Sequence, residues 1–524
     1  MKTLKSSTPG PTLITAGKRR RWKRNGRHQL LSCHETSVED SFFRDHRVAL
    51  RVESHYPHGR HEMKTLKLIV TLTLLAISAQ NLASAAQKPD VLFIVIDDMN
   101  DWTTLLDKSN PIKTPLLERL AARGMLFTRG YCVVPGCNPS RAAVMTGYSP
   151  ETTQCFDNGG RTDWYKTKPD AVTLPQYFRN NGYRAKGAGK VFHFTAGGDD
   201  PRGTGHSWDD FQKLVRTPSP HLNGYTRDMK GVMGLAGPGW DWGETPAPQG
   251  DEKMFEYVSR AMDEKWDKPM FLAAGIFKPH LPFYASAEFF QLYPLDKVVM
   301  PPMPANDLDD VPEAGRKMAR REHFIYQNTT RYQPPETRSL QRMVQSYQAA
   351  SSYADSLVGR LLDKLDASGK AGNTIIVLWS DNGYHLGDKG SCVKFTLWEK
   401  GTHIPFIVVA PGVTKPGSRC DTPVSLLNIY PTLLELAGLP PKPDNEGHSL
   451  MPLLKNPKAV WSHPAIMTMG PGNKAVRTER WRYIRYKDRA EELYDEQKDP
   501  WEWTNLAGKL EYADDIAKLR PLLP

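Results

Sequence analysis

Apolar runs that end in polar residues are the feature of this chain that most restricts its fold. Four of them are Val91–Ile96, Met270–Gly275, Thr374–Trp379 and Ile404–Val409. None alternates apolar with polar side chains, which is typical of strands buried on both faces of a parallel sheet. Parallel neighbours need crossover connections, usually helices, so the runs predict an α/β fold.

Segments with helical periodicity lie between these runs. Pro115–Gly124 begins with Pro and ends with Gly, as helices commonly do, and Leu174–Gly182 and Tyr347–Gly369 are similar. Strands that alternate with helices predict a doubly wound domain with a mostly parallel sheet. Ligands of such folds bind at the carboxyl ends of the strands.

Two polar pairs occur at predicted strand ends. Asp97-Asp98 follows the first run, and Asp381-Asn382 follows the third. Neighbouring carboxylates repel each other unless a cation neutralises them, and hard cations such as Ca²⁺ prefer oxygen ligands. The same residues are also common in solvated loops and helix caps, so the pairs alone leave both interpretations open.

A Pro-rich stretch, Leu439–Pro443, marks the predicted domain boundary. It divides a large domain, residues 86–440, from a small α+β domain, residues 441–524. The smaller part contains alternating aromatic segments such as Lys474–Tyr486, which favour antiparallel strands.

Residues 63–85 have the pattern of a secretory signal peptide. Lys64 and Lys67 precede the apolar run Leu68–Ala79, and Ala83-Ser84-Ala85 supplies small residues for cleavage. The apolar run is shorter than the ~20 residues that span a bilayer. We therefore expect export to the periplasm or the outside of the cell, with no stable membrane insertion after cleavage.

Residues 1–62 precede this signal, and they are basic. We interpret them as a disordered leader, or as sequence upstream of a true translation start at Met63; a nucleic-acid-binding arm and a long signal n-region are the alternatives. Residues 1–85 carry 15 Lys and Arg against 6 Asp and Glu, out of 69 and 58 in the whole chain. The remainder is near neutral, so we expect no nucleic-acid partner.

The stretch Cys137–Gly147 reads CNPSRAAVMTG. A lone cysteine would suggest a nucleophile or a core residue, but here Pro139, Ser140 and Arg141 follow at fixed offsets, before an apolar helical run. This pattern closely resembles the sulfatase signature Cys-x-Pro-Ser-Arg…Thr-Gly, in which the cysteine is oxidised to formylglycine. Met145, where Leu is common, is a small departure.

The resemblance extends over nearly the whole of residues 88–510. The matching segments are Pro89–Ile94 with Asp97-Asp98, Gly189–His193, Lys278–Phe283, Ser380–Gly383 and Lys394. They are most similar to the iduronate-2-sulfatase-like branch of the formylglycine-dependent sulfatases, within the alkaline phosphatase superfamily. That branch often has His at the place of Asn382, which leaves the identity of the sugar open.

The resemblance implies an alkaline-phosphatase-like fold, with residues 86–440 as the catalytic domain. It implies one Ca²⁺ per chain, and its ligands would be Asp97, Asp98, residue 137, Asp381 and Asn382. The implied catalytic residues are Cys137, Arg141, Lys190, His193, His280 and Lys394. Lys190 and Lys394, together with Arg141 and the cation, would neutralise the sulfate oxygens.

The resemblance also implies a mechanism. One hydroxyl of the formylglycine hydrate, activated by the metal and Asp381, attacks sulfur. His280, helped by Lys394, protonates the leaving alcohol. His193 takes a proton from the second hydroxyl as sulfate is expelled, and Arg141 orients the hydrate with its planar donor fork.

The expected partners are a sulfated carbohydrate substrate and, during maturation, a formylglycine-generating enzyme. Consumption of Cys137 would leave four cysteines after the signal, which could pair in three ways or remain buried thiols. Two other functions stay open: a phosphate or phosphonate ester hydrolase of the same superfamily, which shares the Cys-x-Pro-Ser-Arg motif, and a non-catalytic sulfated-glycan-binding protein.

Overall fold

The computed structural model describes residues 88–159, 163–193, 197–203, 205–215, 241–245, 250–320, 326 and 338–524. The predicted leader and signal peptide lie outside these residues. Within them, no helix combines the length and the apolar character needed to cross a membrane.

The strands follow in chain order. They are β1 Asp90–Asp97, β2 Met125–Tyr131, β3 Arg184–Gly189, β4 Asp210–Gln212, β5 Trp242–Glu244, β6 Met270–Pro279, β7 Phe283–Ala285, β8 Thr374–Ser380, β9 His403–Val409, β10 Ser418–Cys420, β11 Val424–Ser425, β12 Ala465–Thr468, β13 Lys474–Arg477, β14 Trp481–Arg485 and β15 Glu491–Asp495.

The α-helices are numbered in the same way. They are α1 Pro115–Ala121, α2 Cys137–Thr146, α3 Pro150–Thr153, α4 Trp164–Thr167, α5 Leu174–Asn180, α6 Gly250–Asp263, α7 Ala287–Phe290, α8 Glu313–Ala319, α9 Ser339–Ala367, α10 Glu399–Thr402, α11 Ile429–Leu436, α12 Met451–Lys455 and α13 Ala513–Leu519. The three helices predicted from periodicity are α1, α5 and α9, and α9 begins eight residues earlier than expected.

The large sheet has the strand order β10-β2-β9-β8-β1-β6-β3-β4, with β11 beside β2. Its neighbours pair in parallel except around β9, which is antiparallel to both β2 and β8. The mostly parallel sheet is therefore confirmed, but the expectation that Ile404–Val409 is a parallel strand is wrong. A continuous apolar run reports burial, not direction. The connection of residues 381–402 contains the four-residue helix α10 but no helix long enough to cross back to the amino end of β8. β9 therefore begins at the carboxyl end of β8 and runs antiparallel to it.

Both faces of the sheet are buried, as a doubly wound fold requires. Alternate residues of β1 belong to opposite cores: Val91, Phe93 and Val95 pack with residues of α2, α5 and α11. The intervening residues of β1 pack with residues of α1, α6 and α9. The apolar run of β1 therefore follows directly from its central place in the sheet.

The C-terminal part contains a four-stranded antiparallel sheet in the order β12-β13-β14-β15. A separate apolar cluster joins this sheet to α13 through side chains such as Val476, Leu493 and Ile516. The alternating aromatic pattern correctly predicted these strands, whereas the boundary at residue 440 stays a prediction. The cysteines of the described residues form no disulfide and are buried.

Candidate active site

The two polar pairs meet at the carboxyl ends of β1 and β8. Asp98 has a φ of 64°, a left-handed conformation that is uncommon for residues with a Cβ. Two hydrogen bonds hold it there: its N–H donates to Asp381 Oδ1 at 3.0 Å, and its carbonyl accepts from the Tyr347 hydroxyl at 2.6 Å. The turn after β1 is thus tied to the end of β8.

Cys137 is the first residue of α2 and is completely buried. Its Sγ lies 3.4 Å from Asp97 Oδ1 and 3.6 Å from Asp98 Oδ1, and Lys394 Nζ lies 2.8 Å from the sulfur. Burial, together with the charge of Asp97, raises the pKa of the Cys137 thiol well above its ordinary value. An unmodified thiol at this position stays protonated and is a poor nucleophile.

Arg141 follows Cys137 by one helical turn and is also completely buried. Its Nε donates to Asp381 Oδ2 at 2.7 Å, and its Nη2 lies 3.3 Å from Asp97 Oδ1. Nη1 donates to the carbonyls of Lys190 and Val191 at the end of β3. This single guanidinium therefore ties together the carboxyl ends of three strands.

Two lysines complete the positive charge of the site. Lys190 pairs with Asp97 Oδ2, and Lys394 pairs with Asp98 Oδ1. Burial opposes ionisation of Asp98, but nearby positive charge, above all that of Lys394, outweighs it and holds the pKa of Asp98 below its ordinary value. The carboxylate of Asp98 is thus kept ionised, which a metal ligand requires.

The two predicted histidines lie in different positions. His280 Nδ1 donates to the Leu281 carbonyl at 2.6 Å, and His280 Nε2 lies 3.8 Å from Asp98 Oδ2. Burial and the charge of Lys190 lower the pKa of His280 well below its ordinary value. His193 instead lines a cavity beside α2 that it shares with Arg141.

The donor atoms of the site fit a divalent cation. One ligand atom from each of Asp97, Asp98, Cys137 and His280 lies within 4.8 Å of the others. Asn382 Nδ2 donates to Asp98 Oδ1 at 2.9 Å, while Asn382 Oδ1 is buried without a hydrogen-bond donor among the described residues. A buried acceptor left unpaired costs free energy, and a hard cation would supply its partner.

Asp381 is engaged differently from the other predicted ligands. One of its oxygens accepts from Arg141 and the other from the backbone of Asp98. Burial raises the pKa of Asp381 above its ordinary value, although Arg141 opposes this. Its roles as metal ligand and activating base stay predictions.

Some residues that support the site were not predicted individually. Asp251 in α6 accepts the backbone N–H groups of Phe277 and Lys278 at 2.7 and 3.0 Å, just before His280. Lys278 donates to the carbonyls of His280 and Pro282. Lys278 stood within a quoted motif, whereas Asp251 had no local signal.

Comparison with known proteins identifies the family and agrees with the fold. Residues 89–439 match the family described as Sulfatase, and residues 387–523 match N-sulphoglucosamine sulphohydrolase, C-terminal. A sulfatase of Formosa agariphila is 37% identical over 462 residues, which cover 83% of this chain and 86% of that protein. The chain belongs to the sulfatase family and is an enzyme that hydrolyses sulfate esters.

Other relatives share the family or the fold. Iduronate 2-sulfatase of Homo sapiens is 29% identical over 425 residues, which cover 72% of this chain and 74% of that protein. The phosphonate monoester hydrolase of Agrobacterium radiobacter superposes with a TM-score of 0.66 at 23% identity, covering 83% and 95% of the two chains. A protein solved with its substrate D-glucosamine-2-N,6-O-disulfate gives 0.65 at 22%, covering 83% and 97%. The solved structures share the alkaline-phosphatase-like fold.

Proposed function

We propose that this sulfatase releases inorganic sulfate from a sulfated carbohydrate, using a formylglycine made from Cys137 and one bound Ca²⁺. The observation that carries the proposal is the environment of Cys137. Its sulfur lies within 3.6 Å of two carboxylates and 2.8 Å from the Lys394 amine, at the start of a buried helix.

The implied groups fit the residues around them. Asp97, Asp98 and Asn382 would hold the cation, with residue 137 and Asp381 as further predicted ligands. Bound there, the cation would supply positive charge for the ester oxygens. A formylglycine at position 137 would supply a hydrated aldehyde, with one hydroxyl for attack on sulfur and one for release of sulfate.

The cationic side chains would stabilise the anionic substrate and the charge that develops on it. Lys394 holds positive charge directly at residue 137, and Lys190 holds it at Asp97. Arg141 keeps Asp97 and Asp381 in place, because its guanidinium contacts both. Fixed charges in a dry site act more strongly than charges in water.

The leaving alcohol needs a proton, and His280 is placed to carry one. Its Nδ1–H is committed to the Leu281 carbonyl, so Nε2 is the atom that exchanges a proton with the substrate. The ring is neutral in the free protein, and a bound sulfate ester would favour its charged form. His193 would accept the proton from the second hydroxyl.

The carbohydrate part of the proposal draws support from the relatives and from the predicted signal peptide. Iduronate 2-sulfatase is among the relatives, and one fold neighbour was solved with a disulfated glucosamine. Export through the signal at residues 63–85 would bring the enzyme to extracellular or periplasmic polysaccharide.

The test is sulfate release from a panel of defined sulfated oligosaccharides. The protein would start at Ala86, be co-expressed with a formylglycine-generating enzyme and be supplied with Ca²⁺. Cys137→Ala should abolish release, whereas Cys420→Ala, which removes a buried thiol on the β10 edge strand, should not. Chelation with EGTA should abolish release until Ca²⁺ is restored, and Mg²⁺ would be compared.

Other outcomes would overturn parts of this proposal. Sulfate release by Cys137→Ala at the wild-type rate would rule out the formylglycine scheme. Turnover of phosphate or phosphonate esters without sulfate release would support the alternative hydrolase. Glycan binding without hydrolysis, with residue 137 shown by peptide mass to be the aldehyde, would support the non-catalytic binder.

A further inference from the structure

Lys394, a proposed catalytic residue, lies in neither a helix nor a strand. It lies in the long connection between β8 and α10, yet its Nζ is 2.8 Å from Cys137 Sγ and pairs with Asp98. We propose that His385 is a positioning residue that clamps the chain on both sides of Lys394 and so holds its amine at residue 137. This inference rests on the proposed function of Lys394.

His385 contacts the residues that flank Lys394. Its backbone N–H donates to the Val393 carbonyl at 2.9 Å, and its Nε2 lies 2.6 Å from Thr396 Oγ1. The ring cannot rotate freely, because its Nδ1–H donates to Asp388 Oδ2, and Asp388 Oδ1 in turn accepts from the Leu386 N–H at 3.0 Å. In the neutral ring Nε2 accepts from the Thr396 hydroxyl.

The polar side-chain atoms of His385 and Thr396 are committed to hydrogen bonds within the loop. The side chains of His385 and Thr396 are completely inaccessible, and Asp388 is nearly so. Both ring nitrogens of His385 already have partners within the loop. The Thr-His-Asp arrangement therefore acts through Lys394, as a fixed clasp around one loop.

The backbone next to Lys394 needs such a clasp. Phe395 has a φ of 74°, a left-handed conformation that is unfavourable for a residue with a Cβ and persists where the surroundings impose it. Its N–H donates to the Pro135 carbonyl at 3.0 Å, two residues before Cys137. Release of Thr396 would let Phe395 relax and would move the Lys394 amine away from residue 137.

The test compares two isosteric substitutions of buried threonines. Thr396→Val removes the hydroxyl that reaches His385. Thr402→Val is the matched control, because that hydroxyl donates to the Trp398 carbonyl and not to the clasp. Thr396→Ser keeps the hydroxyl and should retain the activity and the amide protection that Thr396→Val loses. Sulfate release would be measured per formylglycine-containing molecule, together with Tm and hydrogen exchange of the 393–396 segment.

Thr396→Val should lower kcat about 10- to 100-fold, in line with small misplacements of catalytic groups, while KM changes little. Amide exchange of residues 393–396 should rise, and Thr396→Ser should restore both quantities to within about twofold. Thr402→Val should lose Tm without loss of kcat.

Three results would overturn the inference. One is unchanged exchange of residues 393–396 in Thr396→Val; another is raised exchange with unchanged kcat; the third is an equal fall of kcat in Thr402→Val. If the wild type itself releases no sulfate, the proposed function fails instead. The exchange comparison alone then decides whether His385 holds the segment.

Discussion

The protein buries charged side chains in two places, and the two places are built differently. In the active site, three carboxylates face two lysines and Arg141, and Asn382 Oδ1 still lacks a donor among the described residues. The second place, which we call the seam cluster, joins α10 to the C-terminal sheet. Its members are Glu399, Arg477, Arg482, Glu496 and Glu502.

The charged side chains of the seam cluster pair with one another. Arg482 reaches all three glutamates, with Nε 2.7 Å from Glu502 Oε1, and its Nη1 donates to the Leu397 carbonyl. The Tyr131 hydroxyl donates to Glu399 at 2.7 Å. Each charged side chain of the seam cluster has an oppositely charged neighbour, although Glu502 Oε1 accepts no hydrogen bond from the described residues. In the active site, Asn382 Oδ1 also lacks a donor among the described residues, and it lies where the cation is proposed to bind. The same chemistry thus serves folding in one region and binding in the other.

The largest expected effect is a loss of stability when the seam cluster, and not the active site, is altered. Arg477 is buried and pairs with Glu399 and Glu496, so Arg477→Met leaves buried carboxylates with less compensation. We expect the free energy of unfolding to fall by about 3–5 kcal/mol. Denaturant melts would measure this, and kcat of the folded fraction should be unchanged. A large loss of kcat without loss of stability would contradict the comparison.

The next prediction concerns how the stability supplied by His403, which contacts the seam cluster, depends on pH. His403 Nδ1 lies 3.2 Å from Glu399 Oε1 and 3.3 Å from Asp101 Oδ2, and its Nε2 donates to the Thr128 carbonyl. Burial lowers the pKa of His403, but the carboxylates outweigh burial and raise it from 6.5 to about 9. The charged ring therefore stabilises the fold fully below pH 6.5, and this contribution disappears as the pH rises through 9.

This pKa difference corresponds to about 3 kcal/mol. The measurement is the difference in free energy of unfolding between wild type and His403→Gln, followed from pH 6 to 9.5. The wild-type advantage should shrink toward high pH, and the exposed His206→Gln serves as the control. A difference that does not depend on pH would show that the charge of His403 does not couple to the seam cluster.

A smaller free-energy change is expected at Asn382, where the effect should fall on ligand binding. Asn382→Leu removes the unpaired Oδ1 while keeping a similar side-chain size. Ca²⁺ affinity should fall by about 10- to 100-fold or more, since loss of an outer partner already costs that much. The substitution also removes the hydrogen bonds from Asn382 Nδ2 to Asp98 and Gly383, so the free energy of unfolding without cation should fall by about 1–3 kcal/mol. Calorimetric titration and Tm with and without Ca²⁺ would check this; equal Ca²⁺ binding by both proteins would remove Asn382 from the ligand set.

The smallest effect is expected at an exposed ion pair, which serves as a reference for the loss of stability in Arg477→Met. Arg480 pairs with Asp495 at 2.7 Å, but its side chain is 42% exposed. Arg480→Met should therefore change the free energy of unfolding by less than about 1 kcal/mol. A loss as large as that of Arg477→Met would mean that burial does not distinguish the seam cluster from surface pairs.

The sequence predicted the parts of the candidate site that short, contiguous motifs carry. The pairs after β1 and β8 were found because parallel strands bring their carboxyl ends together. The motif at Cys137–Arg141 was found by its resemblance to the sulfatase signature. The contact of Tyr347 with Asp98 was not predicted, because it joins residues 249 positions apart and no sequence pattern marks it. The direction of β9 was missed for a related reason, since its burial is the same in either direction.

Burial of Cys137 has a consequence for the timing of maturation. A residue with none of its surface exposed cannot enter the active site of a modifying enzyme once α2 has packed. The proposed oxidation to the aldehyde would therefore have to precede folding, and the yield of competent enzyme would be set by a kinetic competition between modification and collapse of the chain. Under this proposal a molecule that folds first would be trapped as the thiol, and slower folding would increase the active fraction.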